Sequence, residues 1–215
     1  MKRTLALGLL ALAYSSAVAG IASFGGQADM LVAGPGVGYK ANFFQDGPGA
    51  KAHGWNERQG VTLANNLVVD ISAPGAYNGN ANANAIIPAG TVVNSHYVYF
   101  DPIQNQGVGA SFTFDAPILG IIIRENTNAA TDHLLASDFL IPGVVPAGNL
   151  APGWFNARGM EPTDLISWVG TNTIRIDWDA SNPGDQIRVI TAVPEPATMT
   201  ALSLAGAFLI RRRKK

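Results

Sequence analysis

The apolar positions of this chain fall into three regimes. Residues 5–13 form an unbroken apolar run, LALGLLALA, directly after Met1, Lys2 and Arg3. Residues 199–210 form a second uncharged run, MTALSLAGAFLI, directly before a basic cluster at 211–215. Between the two, apolar residues come in short runs or alternate with polar ones, which is the period of strands and not of helices. Residues 91–101, TVVNSHYVYFD, are rich in β-branched and aromatic side chains and stop at Pro102, so they predict a strand. Val108, Ala110, Phe112 and Phe114 recur at period two and predict the next one. The continuous run ILGIII at 118–123 predicts a strand buried on both faces. Ile174, Ile176 and Trp178 alternate with Arg175, Asp177 and Asp179, the pattern of a half-exposed antiparallel strand. SNPGD at 181–185 then turns the chain into a last strand, IRVIT. Residues 61–71 and 165–169 add further strands. Residues 131–140 predict a short helix, with Thr131 as N-cap and Leu134, Leu135, Phe139 and Leu140 on one stripe.

The intervening segments are rich in turn formers. Residues 20–56 carry GG, GPGVG and DGPG and predict a loosely structured stretch with one or two short strands, one near 39–44. AYNGNANANA at 76–85 offers no core-forming side chains and predicts an exposed loop. Seven to nine short strands at this spacing predict an all-β fold: a single antiparallel β-sandwich, jelly-roll-like, with one short helix. A signal helix at the N-terminus and a short hydrophobic helix at the C-terminus would flank it. The expected boundaries are 1–19, 20–193 and 194–215.

Composition changes this picture in two ways. The chain has no cysteine, which excludes disulfides, cysteine metal sites and thiol nucleophiles. Its formal net charge is −1, but the charge is segregated. Residues 20–193 keep seven of the 14 Lys and Arg and fourteen of the 15 Asp and Glu, so the body carries −7 between two basic ends. That balance gives no basic footprint for nucleic acid.

The two ends read as addresses. A basic start, an apolar run and the small residues Ala17 and Ala19 are the layout of a secretory signal peptide cleaved before Gly20. A buried N-terminal helix is the alternative. At the other end, the twelve uncharged, mostly apolar residues would reach about 18 Å as a helix, against a bilayer core of about 30 Å. The arginines beyond them can snorkel and should stay cytoplasmic. Pro194, Glu195 and Pro196 precede the run, and Arg211, Arg212 and Arg213 follow it. This order resembles the PEP-CTERM sorting signal of Gram-negative bacteria. A plain tail anchor is the alternative. The resemblance implies signal peptidase and exosortase as processing partners and a transient stay in the inner membrane. It also implies export to the cell envelope, the cell surface or the medium. The pieces VVNSHYVYFDP, SFTFDAPILG, LLASDFL, ARGMEPTD and SNPGDQIRVIT resemble a recurring body of such proteins that has no assigned activity.

Candidate chemistry in the body is sparse. Asp177 and Asp179 sit at i and i+2, with stems roughly 6.6 Å apart at the strand rise, a spacing that a glycosidase pair tolerates. The solvated face of an edge or outer strand explains them better. Glu125, Glu161 and Asp164 show no pattern of their own. Ser95 or Ser137 with His96 or His133 offer a nucleophile and base, but no G-x-S-x-G elbow surrounds them. No paired histidines suggest zinc. Asp101, Asp115, Asp179 and Asp185 fall at strand ends or turns and are candidate Ca2+ ligands, with turn capping as the alternative. Trp55 and Trp154 lie in or after Gly-rich loops and are candidate sugar platforms, with aromatic caps closing the ends of the sandwich as the alternative. The expected function is a non-enzymatic exported protein of structural, adhesive or glycan-binding type linked to exopolysaccharide. No cofactor is expected, and a structural Ca2+ is the alternative. A secreted carbohydrate-active hydrolase is the alternative.

Overall fold

The computed structural model describes residues 20–34, 44–124, 132–143, 159–180 and 184–193. Its strands are β1 (Ile21–Gly26), β2 (Ala28–Met30), β3 (Ala52–Asn56), β4 (Val61–Thr62), β5 (Leu67–Val69), β6 (Gly75–Asn78), β7 (Ala85–Ile87), β8 (Val92–Phe100), β9 (Gln106–Phe114), β10 (Ile118–Ile122), β11 (Leu165–Val169), β12 (Thr173–Ala180) and β13 (Asp185–Ala192). A four-residue helix, α1 (His133–Ala136), and a 3-10 turn (Asp138–Leu140) lie between β10 and β11.

Two sheets face each other across the main core. The first runs β1-β9-β12-β11-β6, with every neighbour antiparallel. Strand β12 alternates buried and exposed residues along its length, as the sequence pattern predicts. Its Ile174, Ile176 and Trp178 point inward with Phe112 and Phe114 of β9. The second sheet runs β10-β13-β8-β3-β2, with β4 also on β8. Its Val98, Phe100, Ile187 and Val189 meet the first sheet in the same core. Gly54 of β3 lets the sheets approach, because a Cβ there would lie 2.6 Å from the Phe112 ring.

A third layer covers the other face of the second sheet. Trp55, Tyr97, Tyr99, Ile122 and Ile190 pack beneath Leu67, Val69 and Ile87 of the β5-β7 pair and Leu134 and Leu140 of the helical segment. Strands β8 and β13 are therefore buried on both faces. Gly120 is the contact point, since a Cβ there would stand 2.7 Å from the Val69 side chain. This is the physical meaning of the glycine inside ILGIII.

The body is thus mostly β with antiparallel sheets and one short helix. It departs from a plain two-layer sandwich in two respects: the added outer layer, and the parallel pairing of β2 with β3. The stretch expected to be loose carries β1, β2 and β3, because backbone pairing to β9 and β8 orders it despite its glycines. Residues 39–43 of the strand expected there lie outside the described residues. The Ala/Asn stretch begins inside an edge strand, β6, where Tyr77 pairs with Ile166. Edge pairing uses backbone groups and needs no apolar run. The helix is shorter than expected. Its N-cap is Asp132, whose carboxylate accepts the Leu135 N–H at 2.7 Å. Thr131 lies outside the described residues.

Candidate functional site

The turn at 161–164 gathers the acidic groups. Pro162 presets the turn backbone, and the Asp164 N–H closes it onto the Glu161 carbonyl at 3.1 Å. The Asp164 carboxylate accepts the Glu161 N–H at 2.9 Å and the Asp179 N–H at 3.0 Å. It thereby ties the turn to the end of β12. The Gln186 N–H donates to the Gly159 carbonyl at 2.8 Å, and the Met160 N–H to the Ile123 carbonyl at 3.2 Å. These bonds hold the turn beside the start of β13. Gly79, after β6, abuts the Glu161 carbonyl, where a Cβ would sit only 2.2 Å away.

Asp185 begins β13 opposite Phe100. One carboxylate oxygen from each of Glu161, Asp164 and Asp185 lies within 4.8 Å of the others. Asp164 and Asp185 are buried and Glu161 is exposed. Among the described residues, no Lys, Arg or His pairs with any of the three. The Asp185 side chain belongs to a residue only 3% exposed, and its Oδ2 has no hydrogen-bond partner. Burial, then the Asp164 charge, pushes the Asp185 carboxyl well above the usual range. Burial and the charges of Asp164 and Asp179 raise Glu161 as well. The arrangement is an all-oxygen donor set for a hard cation.

Of the four aspartates proposed as ligands, only Asp185 joins this cluster. Asp101 caps a loop: its Oδ2 accepts the Phe44 and Gln45 N–H groups at 2.7 and 2.9 Å. Asp115 accepts the Gly20 N–H at 2.8 Å through both oxygens. Asp179 is exposed on β12 and contributes its N–H to Asp164. Glu161 and Asp164 stand among the acidic residues read from the sequence, but not as metal ligands, because they belong to no known ligand spacing. The E-P-T-D turn signal with Pro162 at its second position is the clue that was present.

The remaining candidates are engaged in structure. Trp55, a candidate sugar platform, is fully buried and packs on Tyr97 at 5.2 Å. It sits on an inner strand under the third layer, so no glycan can reach it. Trp154 lies outside the described residues, as do Glu125, Ala17, Ala19, Pro194, Glu195, Pro196 and Arg211 to Arg213. Ser95 and His96 are consecutive in β8 and so point to opposite faces. Ser95 donates to Glu57 on the outer side. His96 lies on the inner side, 2.8 Å from Asn56 Oδ1 and 3.0 Å from Thr191 Oγ1. The amide oxygen can only accept, so Nδ1 carries the proton and Nε2 accepts from Thr191. Ser137 donates to the His133 and Leu134 carbonyls, while His133 Nδ1 bonds Asp70 at 2.7 Å. Among the described residues, no serine hydroxyl meets a histidine ring.

A second buried polar cluster underlies the third layer. Arg188 of β13 makes a bidentate pair with Glu57 at 2.7 and 3.0 Å and reaches Asp138 at 3.1 Å. It also donates to the Leu134 carbonyl at 3.0 Å, which fastens the helix to the sheet. Its guanidinium stacks 5.1 Å from the Tyr97 ring centre. Burial alone would lower the Arg188 pKa, but the Glu57 and Asp138 carboxylates outweigh it and hold the proton more firmly. Every group is spoken for, so the cluster reads as architecture.

Asp177 and Asp179 stand on the exposed face of β12, as expected. At the free edge of the same sheet, a shallow groove is lined by Ala76, Tyr77, Asn78, Asn80, Ala81 and Leu165. Among the described residues, no helix is long and apolar enough to cross a membrane.

No curated protein and no solved structure matches this chain. One family model does match, and it falls on the C-terminal end, beginning at the last residue of β13. It describes a signal read by an exosortase, and so supports an exported protein that reaches the cell envelope or surface after processing. Residues 192–214 of this chain are a PEP-CTERM protein-sorting motif.

Proposed function

We propose that the body is a non-enzymatic protein of the cell surface or extracellular matrix, acting by association with exopolysaccharide. The observation that carries this reading is the sorting motif joined directly to an all-β body. The serines and histidines that would serve a hydrolase are occupied by backbone, carboxylate or amide partners, which favours a role without catalysis. The edge groove supplies surface chemistry suited to a glycan. Tyr77 presents a half-buried ring, and Asn78 and Asn80 present exposed amides.

The test uses the protein recovered from the surface of the producing cells. Incubation with the exopolysaccharide of the same cells should give saturable retention and no release of reducing sugar. Tyr77→Ala, which removes the ring, should weaken retention by about tenfold, the equivalent of about 1.4 kcal/mol. Release of sugar that is abolished by Asp177→Asn or Asp179→Asn would establish the hydrolase reading instead.

A further inference from the structure

We infer that Glu161, Asp164 and Asp185 bind one Ca2+ ion that fastens the 159–164 turn to the start of β13. The inference is independent of the polysaccharide reading above. Two features carry it: the convergence of three carboxylates and the orphaned oxygen of Asp185.

The three carboxylate oxygens lie within 4.8 Å of one another. Oxygens this close can turn onto one shared ion at the Ca–O distance of about 2.3–2.6 Å, and the irregular set of three carboxylates with water suits the flexible coordination of Ca2+ better than the near-ideal octahedron at about 2.0–2.1 Å that Mg2+ demands. Asp164 is already oriented by the Glu161 and Asp179 N–H groups, yet each of its oxygens keeps a free lone pair. Exposed Glu161 can close over the ion from solvent, leaving the remaining positions to water.

The buried Asp185 oxygen is the independent sign. A buried polar atom without a partner costs free energy, and in native proteins such atoms are rare. Here Oδ2 of Asp185 is buried and accepts no bond. No cationic side chain among the described residues approaches it. Two facing carboxylates have no hydrogen to share when both are ionised, and a cation bridges them while offsetting their repulsion. The Glu161 and Asp179 N–H groups fix the Asp164 carboxylate beside Asp185, and a cation satisfies all three carboxylates at once.

The experiment is thermal unfolding of the full-length protein at pH 7.5, first stripped with EDTA and then titrated with CaCl2 or MgCl2. At a Ca2+ level a hundredfold above Kd, the midpoint should rise by roughly 5–10 °C, with one ion bound per chain by calorimetry. Mg2+ at the same level should give a clearly smaller rise. Glu161→Gln changes an exposed residue, so it should fold normally and lose at least tenfold in Ca2+ affinity. Asp185→Asn should abolish the response, and its amide can satisfy the site without an ion. An unchanged midpoint with Ca2+ would overturn the inference. So would a Ca2+ response that survives in both variants. A midpoint that rises on acidification alone, with no response to either metal, would identify a shared proton and also overturn it.

Discussion

His96 shows how a residue type that suggests chemistry becomes a structural element with a measurable signature. It lies in the centre of β8, its ring 4.8 Å from that of Phe114, with both nitrogens bonded to neutral partners. Burial lowers its pKa from 6.5 to about 3. The unfolded chain therefore takes up a proton below about pH 6.5, while the folded protein declines it until about pH 3. Folded-state stability from this group is complete above the unfolded value and is lost as the pH falls through the window between the two. At pH 4.5 the loss should reach about 2–3 kcal/mol, two pH units at about 1.4 kcal/mol each. Urea denaturation at pH 7 and pH 4.5 should show this difference in the wild type. It should be smaller by about that amount in His96→Gln, whose side chain does not titrate. Equal losses in both proteins would refute the assignment.

At the level of the elements, Gly54 and Gly120 explain how three layers fit together. Gly54 meets Phe112 in the main core, and Gly120 meets Val69 under the outer layer. Gly54→Ala should force the two sheets apart or the Phe112 ring off its rotamer, at a cost of about 1–3 kcal/mol. Thermal unfolding should show a clear drop in the midpoint, whereas Gly47→Ala, with open space around it, should not repeat the effect. The long strands were legible in the sequence. Ile174, Ile176 and Trp178 alternate with charge because only one face of β12 is buried, and that asymmetry is written directly into the side chains. The third layer was not legible. Strands buried on both faces carry no alternation, so β8 and β13 show burial without saying what lies on each side. Strands β1, β2, β3 and β6 were missed in whole or part because their order comes from backbone pairing to distant partners. The acidic cluster was hidden for a similar reason. Asp185 is separated from Glu161 and Asp164 by the whole of β11 and β12, and only the fold brings them together.

Across the whole molecule, the ends were the most legible part, because an address must be read before or apart from the fold. Its information lies in local order: basic start, apolar run, small residues, and then the reverse at the tail. The sorting motif begins at Ala192, the last residue of β13, and Val193 alone separates that strand from Pro194. Ala192 is still held in the sheet, pairing with Val93 and donating to the Pro117 carbonyl at 2.9 Å. A change confined to the Pro-Glu-Pro step should therefore leave the body folded and alter only its processing. Glu195→Ala removes the one acidic group of the C-terminal signal, whose five other charged residues are all basic. In cells that make the exosortase, this variant should accumulate as the full-length, membrane-retained form, while the wild type is converted to a shorter species outside the inner membrane. Protease resistance of the body should be the same in both. Ala197→Ser, one residue past the motif's second proline, serves as the control and should be processed normally. Conversion of Glu195→Ala at the wild-type rate would show that the acidic group is not read. Loss of protease resistance in the variant would instead place the defect in folding, and the two measurements together separate sorting from stability.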